Sequence, residues 1–215
     1  MGERESMTSI QRRLVSDVSE VEAASATIRL TTGADAEVWA FKNLPGAEQD
    51  DNLLLVRGDF TETPPIVRIH SSCVTGDLYH SAQCDCGSQL KEALELISEQ
   101  GGAIIYLHQE GRGIGLFNKM RAYSEKEKGL DTYEANRVLG FPEDARDFQV
   151  AAEMLKMVGL TEIRLLTNNP RKIAQLKKYG IKVSEVISTG IFKTPQNEQY
   201  LEAKESIGGH MFRET

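Results

Sequence analysis

The feature that most constrains the fold of this chain is the order in which its hydrophobic periodicity changes. Four short runs come first, at residues 26–32 (ATIRLTT), 36–43 (AEVWAFKN), 52–58 (NLLLVRG) and 65–71 (PIVRIHS). They are β-branched or alternating and are set apart by Gly, Asp and Pro, which is how strands joined by tight turns read. The period then becomes helical. Residues 88–100 place Leu90, Leu94 and Ile97 on one face, and Gly101-Gly102 ends the run. A buried strand is expected at 103–107, and helices at 115–128, 132–139 and 147–158, the last with Gly159 as its C-cap. A strand at 162–167, a helix from Pro170 to Tyr179 and a final strand at 181–187 complete the pattern. A β-rich beginning followed by alternating helices and strands predicts an α/β (α+β mixed) fold, a single domain with a mixed sheet over residues 26–215. Residues 1–25 are polar and charged and read as an N-terminal extension, ordered only if it docks. With 215 residues and 40% hydrophobic content the chain can bury one core.

The formal net charge is −7, which argues against a nucleic-acid binder, since that needs a basic face. An anionic small ligand stays compatible, because a few local cations and backbone N–H groups suffice to hold phosphates. No window approaches 18 apolar residues, so no membrane span is expected. The N-terminus lacks the apolar core of a signal peptide. The expected compartment is therefore the cytoplasm, where disulfides are rare.

That compartment bears on the three cysteines, which crowd into Cys73-x10-Cys84-Asp85-Cys86. An odd, clustered set is no disulfide framework. Thiolates favour zinc, and three of them leave one tetrahedral position for water, whose pKa the metal lowers. The spacing equally allows a closed structural site with His70 or His80 as fourth ligand, or three unmetallated thiols. A zinc deaminase is excluded: His108-Gln109-Glu110 fits its H-x-E element, but the required P-C-x-x-C cannot follow, since no Cys occurs after Cys86. The H-E-x-x-H metalloprotease signature is also absent.

Three loops add candidate binding groups. Gln109-Glu110-Gly111-Arg112-Gly113-Ile114-Gly115 lies between a strand and a helix, where glycines can turn N–H groups toward an anion and Arg112 can clamp it. It matches neither a P-loop nor a dinucleotide fingerprint. Thr167-Asn168-Asn169-Pro170-Arg171-Lys172 could hold phosphate at a helix N-terminus, although by itself an ordinary capped helix start is the simpler reading. Asp144-Ala145-Arg146-Asp147 reads by itself as acidic residues complementing a helix dipole, with a surface Arg.

Taken together, RIHSSCVTGD, CDCGSQL, QEGRGIGLFNKMRAY, DTYEAN, the D-x-R-D-F run and RLLTNNP-x-K resemble the GTP cyclohydrolase II family, in order and spacing, over roughly residues 66–182. A weaker likeness extends through Pro195, Asn197, Tyr200, Leu201 and Lys204. The resemblance implies hydrolytic opening of the guanine imidazole ring of GTP, the first step of riboflavin biosynthesis. C8 leaves as formate, pyrophosphate is released, and the product is a diaminopyrimidinone ribosyl phosphate. It implies one zinc on Cys73, Cys84 and Cys86, magnesium with the triphosphate, and a homodimer. Nucleotide contacts are implied for Arg68, Ile69, His70, Ser71, Ser72, Gln89, Glu110, Gly111, Arg112, Thr132, Thr167 and Lys172. The catalytic residues implied are Asp144 as proton acceptor, Arg146 as nucleophile at the α-phosphate, and Tyr123. A guanidinium stays protonated far above neutral pH, so Arg146 suits a charge clamp better than a nucleophile.

The chain departs from the usual family pattern at three positions: Ser72 stands where Glu is common, and Gln83 and His108 where Arg is common. All three changes remove charge beside the cysteine or phosphate motifs, and the expectation is that they form a coupled set. They leave open a divergent paralogue acting on another nucleotide ring, or a non-catalytic nucleotide-binding zinc protein.

Overall fold

The computed structural model describes residues 21–48, 50–126, 137–142 and 144–212. Seven strands form one mixed sheet in the order β1-β2-β3-β5-β4-β6-β7. β1 (Glu22–Arg29), β2 (Asp35–Lys42) and β3 (Asn52–Arg57) form an antiparallel meander, which pairs antiparallel with β5 (Gly102–Leu107). β4 (Ile66–Ser71) lies parallel between β5 and β6 (Glu162–Leu166), and β7 (Lys182–Ile187) closes the parallel half. The expected mixed α/β sheet is therefore present, with most strand limits within one or two residues of the sequence reading.

β1 begins at Glu22, inside the stretch read as an extension. Its EAAS start has no β-branched or aromatic signal. What makes it a strand is the ladder to β2, from Glu22↔Lys42 to Arg29↔Asp35, with Ala23 packed on the core. Two short elements carry no periodic signal, α1 (Val74–Asp77) and a 3-10 turn at Glu110–Gly113, and with the helix over Glu198–Ser206 they appear only in the structure. The remaining helices are α2 (Cys86–Gln100), α3 (Gly115–Lys126), α4 (Gln149–Met157), α5 (Pro170–Lys178) and α6 (Glu198–Ser206). Most of the helix expected at 132–139 lies outside the described residues.

Alternation along β4 divides the sheet faces. Val67 and Ile69 join the main core with Trp39, Phe41, Phe148, Met154 and Leu155, under α4 and α5. Ile66 packs with Ala93 and Ile97 of α2 on the opposite face, and Arg68 and His70 fall on that same side by the period of two. The crossover from β4 leads to β5 on one side, and the next crossover returns to β6 on the other. Where the direction reverses, a crevice opens outside the carboxyl ends of the strands, the usual place for ligands in open α/β sheets.

Candidate active site

At the carboxyl end of β4 the chain runs through Ser72 into Cys73 and α1, and Cys84 and Cys86 follow at the start of α2. The three sulfurs lie within 4.8 Å of one another, and among the described residues no His or carboxylate joins the set. Two glycines permit the convergence. A Cβ on Gly76 would sit 2.8 Å from Cys84 Sγ and 3.2 Å from Cys73 Sγ, and one on Gly87 would lie 2.3 Å from the Gly76 carbonyl oxygen. The thiols share protons unequally. Cys73 accepts hydrogen bonds from Cys84 and Cys86 and is held far below the ordinary thiol value, whereas Cys84 is pushed up to about 11 and Cys86 well above its usual value. Such a cluster can bind a soft dication, releasing those protons as it does so.

Neither histidine considered as a fourth ligand points to the thiols. His80 is exposed, with φ +53. His70 is turned to Asp77, Nε2 to Oδ1 at 3.0 Å, and stacks on Tyr106 with ring centroids 5.6 Å apart. Burial holds His70 below the ordinary histidine value, although the bond to Asp77 opposes this. Asp77 also accepts from the Cys73 N–H and the Tyr106 hydroxyl, both at 2.9 Å, so it braces the first cysteine.

The 3-10 turn after β5 forms the next wall. Gly111 and Arg112 have left-handed φ of +62 and +64. For Arg112 this is a strained conformation that costs about 1–3 kcal/mol. Glu110 turns inward, accepting from the Val74 N–H at 2.7 Å and from Lys119 Nζ at 2.8 Å. Tyr123 lines the same cavity from α3, with Lys119 Nζ 5.6 Å from its ring centroid.

Cations also line the cavity. Arg68 donates through Nη2 to Gln89 Oε1 at 2.7 Å, Gln89 donates to Asp85 Oδ2 at 2.8 Å, and Lys204 of α6 reaches Asp85 Oδ1 at 2.5 Å. Lys172 donates to the Ile69 carbonyl at 2.7 Å, and burial, then Arg68 and Arg146, push it well below the ordinary lysine value. Arg146 grips Asp144 with both ends of its fork, at 2.9 and 2.7 Å, and Arg171 adds a third contact at 3.0 Å. Burial raises the Asp144 pKa, but these partners outweigh it and hold the carboxyl below its usual range. The Arg146 side chain is only 14% exposed, so the surface-Arg reading of this run is corrected: tertiary contact with β4 and the Asp144 pair buries it.

One cavity of about 250 Å³ touches all of these elements. It brings together Arg68, His70, Ser71, Ser72, Cys73, Cys84, Cys86, Gln89, Glu110, Gly111, Arg112, Tyr123, Asp144, Arg146, Thr167 and Lys172. Ile69 does not line it. It lies on the core face of β4 with Val67, so its side chain is in the main core, and its carbonyl serves the site through Lys172. Thr132 lies outside the described residues. The capped-helix reading of 167–172 holds, since the Asn169 side chain accepts from the Arg171 N–H with Pro170 in the first turn, while Thr167 and Lys172 still face the cavity.

Sequence reasoning missed Asp77, Asp85, Lys119, Tyr200, Lys204 and His210. Lys119 did leave a signal: it shares a helix face with the buried Ala122 and with Tyr123, at i, i+3 and i+4. Tyr200 and Lys204 belong to the weaker C-terminal likeness. His210 follows in a tail pinned by Met211 N–H to the Asn168 carbonyl at 2.9 Å. Burial, then Lys204 and Lys172, bring His210 down to about 3.

Three clustered thiols, able to hold a metal, on the wall of a cation-lined cavity at the switch point of an α/β sheet define a class of site in which a soft metal and an anionic ligand could meet. Residues 21–188 match the family description of GTP cyclohydrolase II. The chain is 49% identical to the GTP cyclohydrolase-2 of Vibrio parahaemolyticus over 176 residues, 82% of this chain and 89% of that one. It is 47% identical to that of Psychromonas ingrahamii over 190 residues, 86% and 95%. The riboflavin biosynthesis protein RibBA of Staphylococcus epidermidis is 50% identical over 162 residues, 75% of this chain and 41% of that one. The chain belongs to the GTP cyclohydrolase II family of enzymes.

Proposed function

We propose that this enzyme opens the imidazole ring of GTP, releasing formate and pyrophosphate, with one zinc on Cys73, Cys84 and Cys86. The observation that carries the reading is the convergence of the three thiols on the wall of the cation-lined cavity in a member of this family. The donor set fits zinc: three soft ligands, no fourth described side chain among them, and Gly76 leaving no side chain over the sulfurs. When bound, the zinc supplies a Lewis acid and an activated water for attack at C8.

The chain's own residues bind and orient the nucleotide. Arg68 Nε and His70 Nδ1 are buried without a hydrogen bond among the described residues, polar groups that a ligand would satisfy. The crowding of Lys172, Arg68 and Arg146 is relieved by an anion, which suits a triphosphate accompanied by magnesium. Asp144, ionised at neutral pH, accepts the proton, while Arg146 holds developing phosphate charge as a clamp. Tyr123, on the wall shared with the thiols, contacts the reacting base. We place the enzyme in the cytoplasm as a homodimer; among the described residues no helix is long and apolar enough to cross a membrane.

The test is incubation of zinc-loaded protein with a panel of nucleoside triphosphates, measuring formate and pyrophosphate separately. GTP should yield both, and Cys84→Ser should lose metal and turnover while keeping its secondary structure. No formate from GTP, or metal analysis that reveals a fourth protein ligand, would refute the reading. A second reading, a paralogue acting on another nucleotide, draws on Ser72 and Gln83: both line the cavity as neutral residues at positions where the family resemblance implies charge. The same panel decides between them.

A further inference from the structure

Lys119 has no role in the reading above, yet it is a buried cation bonded directly to the thiol cluster. Its side chain is 9% exposed. Nζ lies 3.2 Å from Cys73 Sγ, 2.9 Å from Thr75 Oγ1 and 2.8 Å from Glu110 Oε1. An ammonium has three N–H donors, and each of these has an acceptor. Glu110 in turn accepts from the Val74 N–H through its other oxygen, and from the Gly111 N–H at 2.9 Å. The contacts close a ring: Lys119 to Cys73, along the chain to Val74, across to Glu110 and back to Lys119.

We propose that Lys119 is a positioning residue that couples the metal site to the nucleotide loop, fixing the Cys73 sulfur and the Glu110 turn as one unit so that occupancy of either site favours occupancy of the other. The inference rests on the metal and nucleotide reading above. An N–H donated to a thiolate holds the sulfur in one rotamer and offsets part of the negative charge that three thiolates gather around a dication. The same ammonium anchors the first residue of the strained Glu110–Gly113 turn, and Glu110, Gly111 and Arg112 of that turn line the cavity. Two sites that share one rigid unit influence each other equally in both directions. The bland alternative is that Lys119 merely neutralises the buried Glu110 carboxylate.

The experiment measures zinc affinity of the full-length protein by competition with a chromogenic chelator, with and without a non-hydrolysable GTP analogue. Wild type should bind one zinc, more tightly by about 5- to 150-fold when the analogue is present. Lys119→Met should bind zinc about 10- to 100-fold more weakly and lose the analogue's effect. Cobalt-loaded Lys119→Met should show shifted thiolate charge-transfer bands. Should that variant melt early, Lys119→Arg serves instead: it keeps the charge near Glu110, but a planar fork cannot meet three convergent acceptors, so the coupling should still fall. Unchanged zinc affinity and coupling in the variants would overturn the inference alone. So would full recovery of zinc affinity in Lys119→Met/Glu110→Gln, since Lys119 would then be only a counter-ion. A wild type that binds no zinc would refute the reading of the site itself, and this inference with it.

Discussion

Replacing Lys204 with Met tests whether the C-terminal helix is part of the site's framework. Asp85, between two of the cysteines, has a side chain 0% exposed, and Lys204 on α6 is 10% exposed with Nζ 2.5 Å from Asp85 Oδ1. Among the described residues the other Asp85 oxygen has the Gln89 amide as its hydrogen-bond partner, at 2.8 Å. Removing one partner of a buried pair leaves an uncompensated charge and costs about 3–5 kcal/mol; the remaining amide bond puts this case at the lower end, near 3 kcal/mol. For a chain of this length each kcal/mol lowers the melting midpoint by about 2–4 °C, so Lys204→Met should melt roughly 6–12 °C below wild type. Urea unfolding should show the same loss with an unchanged slope. Lys204→Met/Asp85→Asn should recover most of it, because the stranded charge is gone. A single variant that melts within about 2 °C of wild type, or a double variant whose losses simply add, would refute the argument.

Gly76→Ala should bring zinc stoichiometry below one per chain while the circular dichroism spectrum stays that of wild type, since the new Cβ would meet Cys84 Sγ at 2.8 Å; full zinc content would contradict this. Stability should fall as pH drops from about 6.5 toward about 3, because in that window the unfolded chain protonates a histidine that stays neutral at position 210 when folded. The contribution is fully present above the unfolded value, His70 shifts in the same direction, and His210→Asn should flatten the acid slope; parallel slopes by urea titration would count against it. Arg146→Lys should keep part of the pyrophosphate release and no nucleotide should attach to wild-type Arg146; a guanylyl adduct on that residue by mass spectrometry would reverse the assignment.

What the sequence revealed and what it hid divide along physical lines. Strand and helix runs are legible because periodicity is local, and so the strands from β2 to β7 and the helices α2, α3, α4 and α5 lie close to where they are expected. The sheet order was not legible: nothing local places β4 between β5 and β6. The thiol site stood out because three cysteines in 14 residues offer little besides metal chemistry or inert burial. Lys119 and Lys204 did not, because a lysine within a helix normally marks a solvated face. Both are buried by tertiary convergence: Lys119 because α3 starts beside the Cys73 loop, Lys204 because α6 brings it to Asp85 at the start of α2. Asp77 was equally silent, being one acidic residue in a helix too short to show a period.

The three departures from the family pattern were expected to act as one set, and the structure separates them. Ser72 is 7% exposed and lines the cavity, as does the exposed Gln83. His108 faces elsewhere: its ring Nε2 meets the Asp51 carbonyl at 3.1 Å, its backbone N–H donates to Asn52 Oδ1 at 3.0 Å, and it does not line the cavity. A Glu at position 72 would be a nearly buried carboxylate on the cavity wall, and a new cation on that wall, at position 83, is the better placed to compensate it. Ser72→Glu alone should therefore impair formate release. Adding Gln83→Arg should restore it, with a coupling of roughly 0.5–3 kcal/mol in the double-mutant cycle. Adding His108→Arg should give additive effects within about 0.5 kcal/mol, because among the described residues its ring and the Ser72 hydroxyl share no partner. Rescue by His108→Arg would show that the arginine swings to the cavity side. Additivity in both pairs would leave all three positions independent, and the charge lost at Ser72 would then need no compensation.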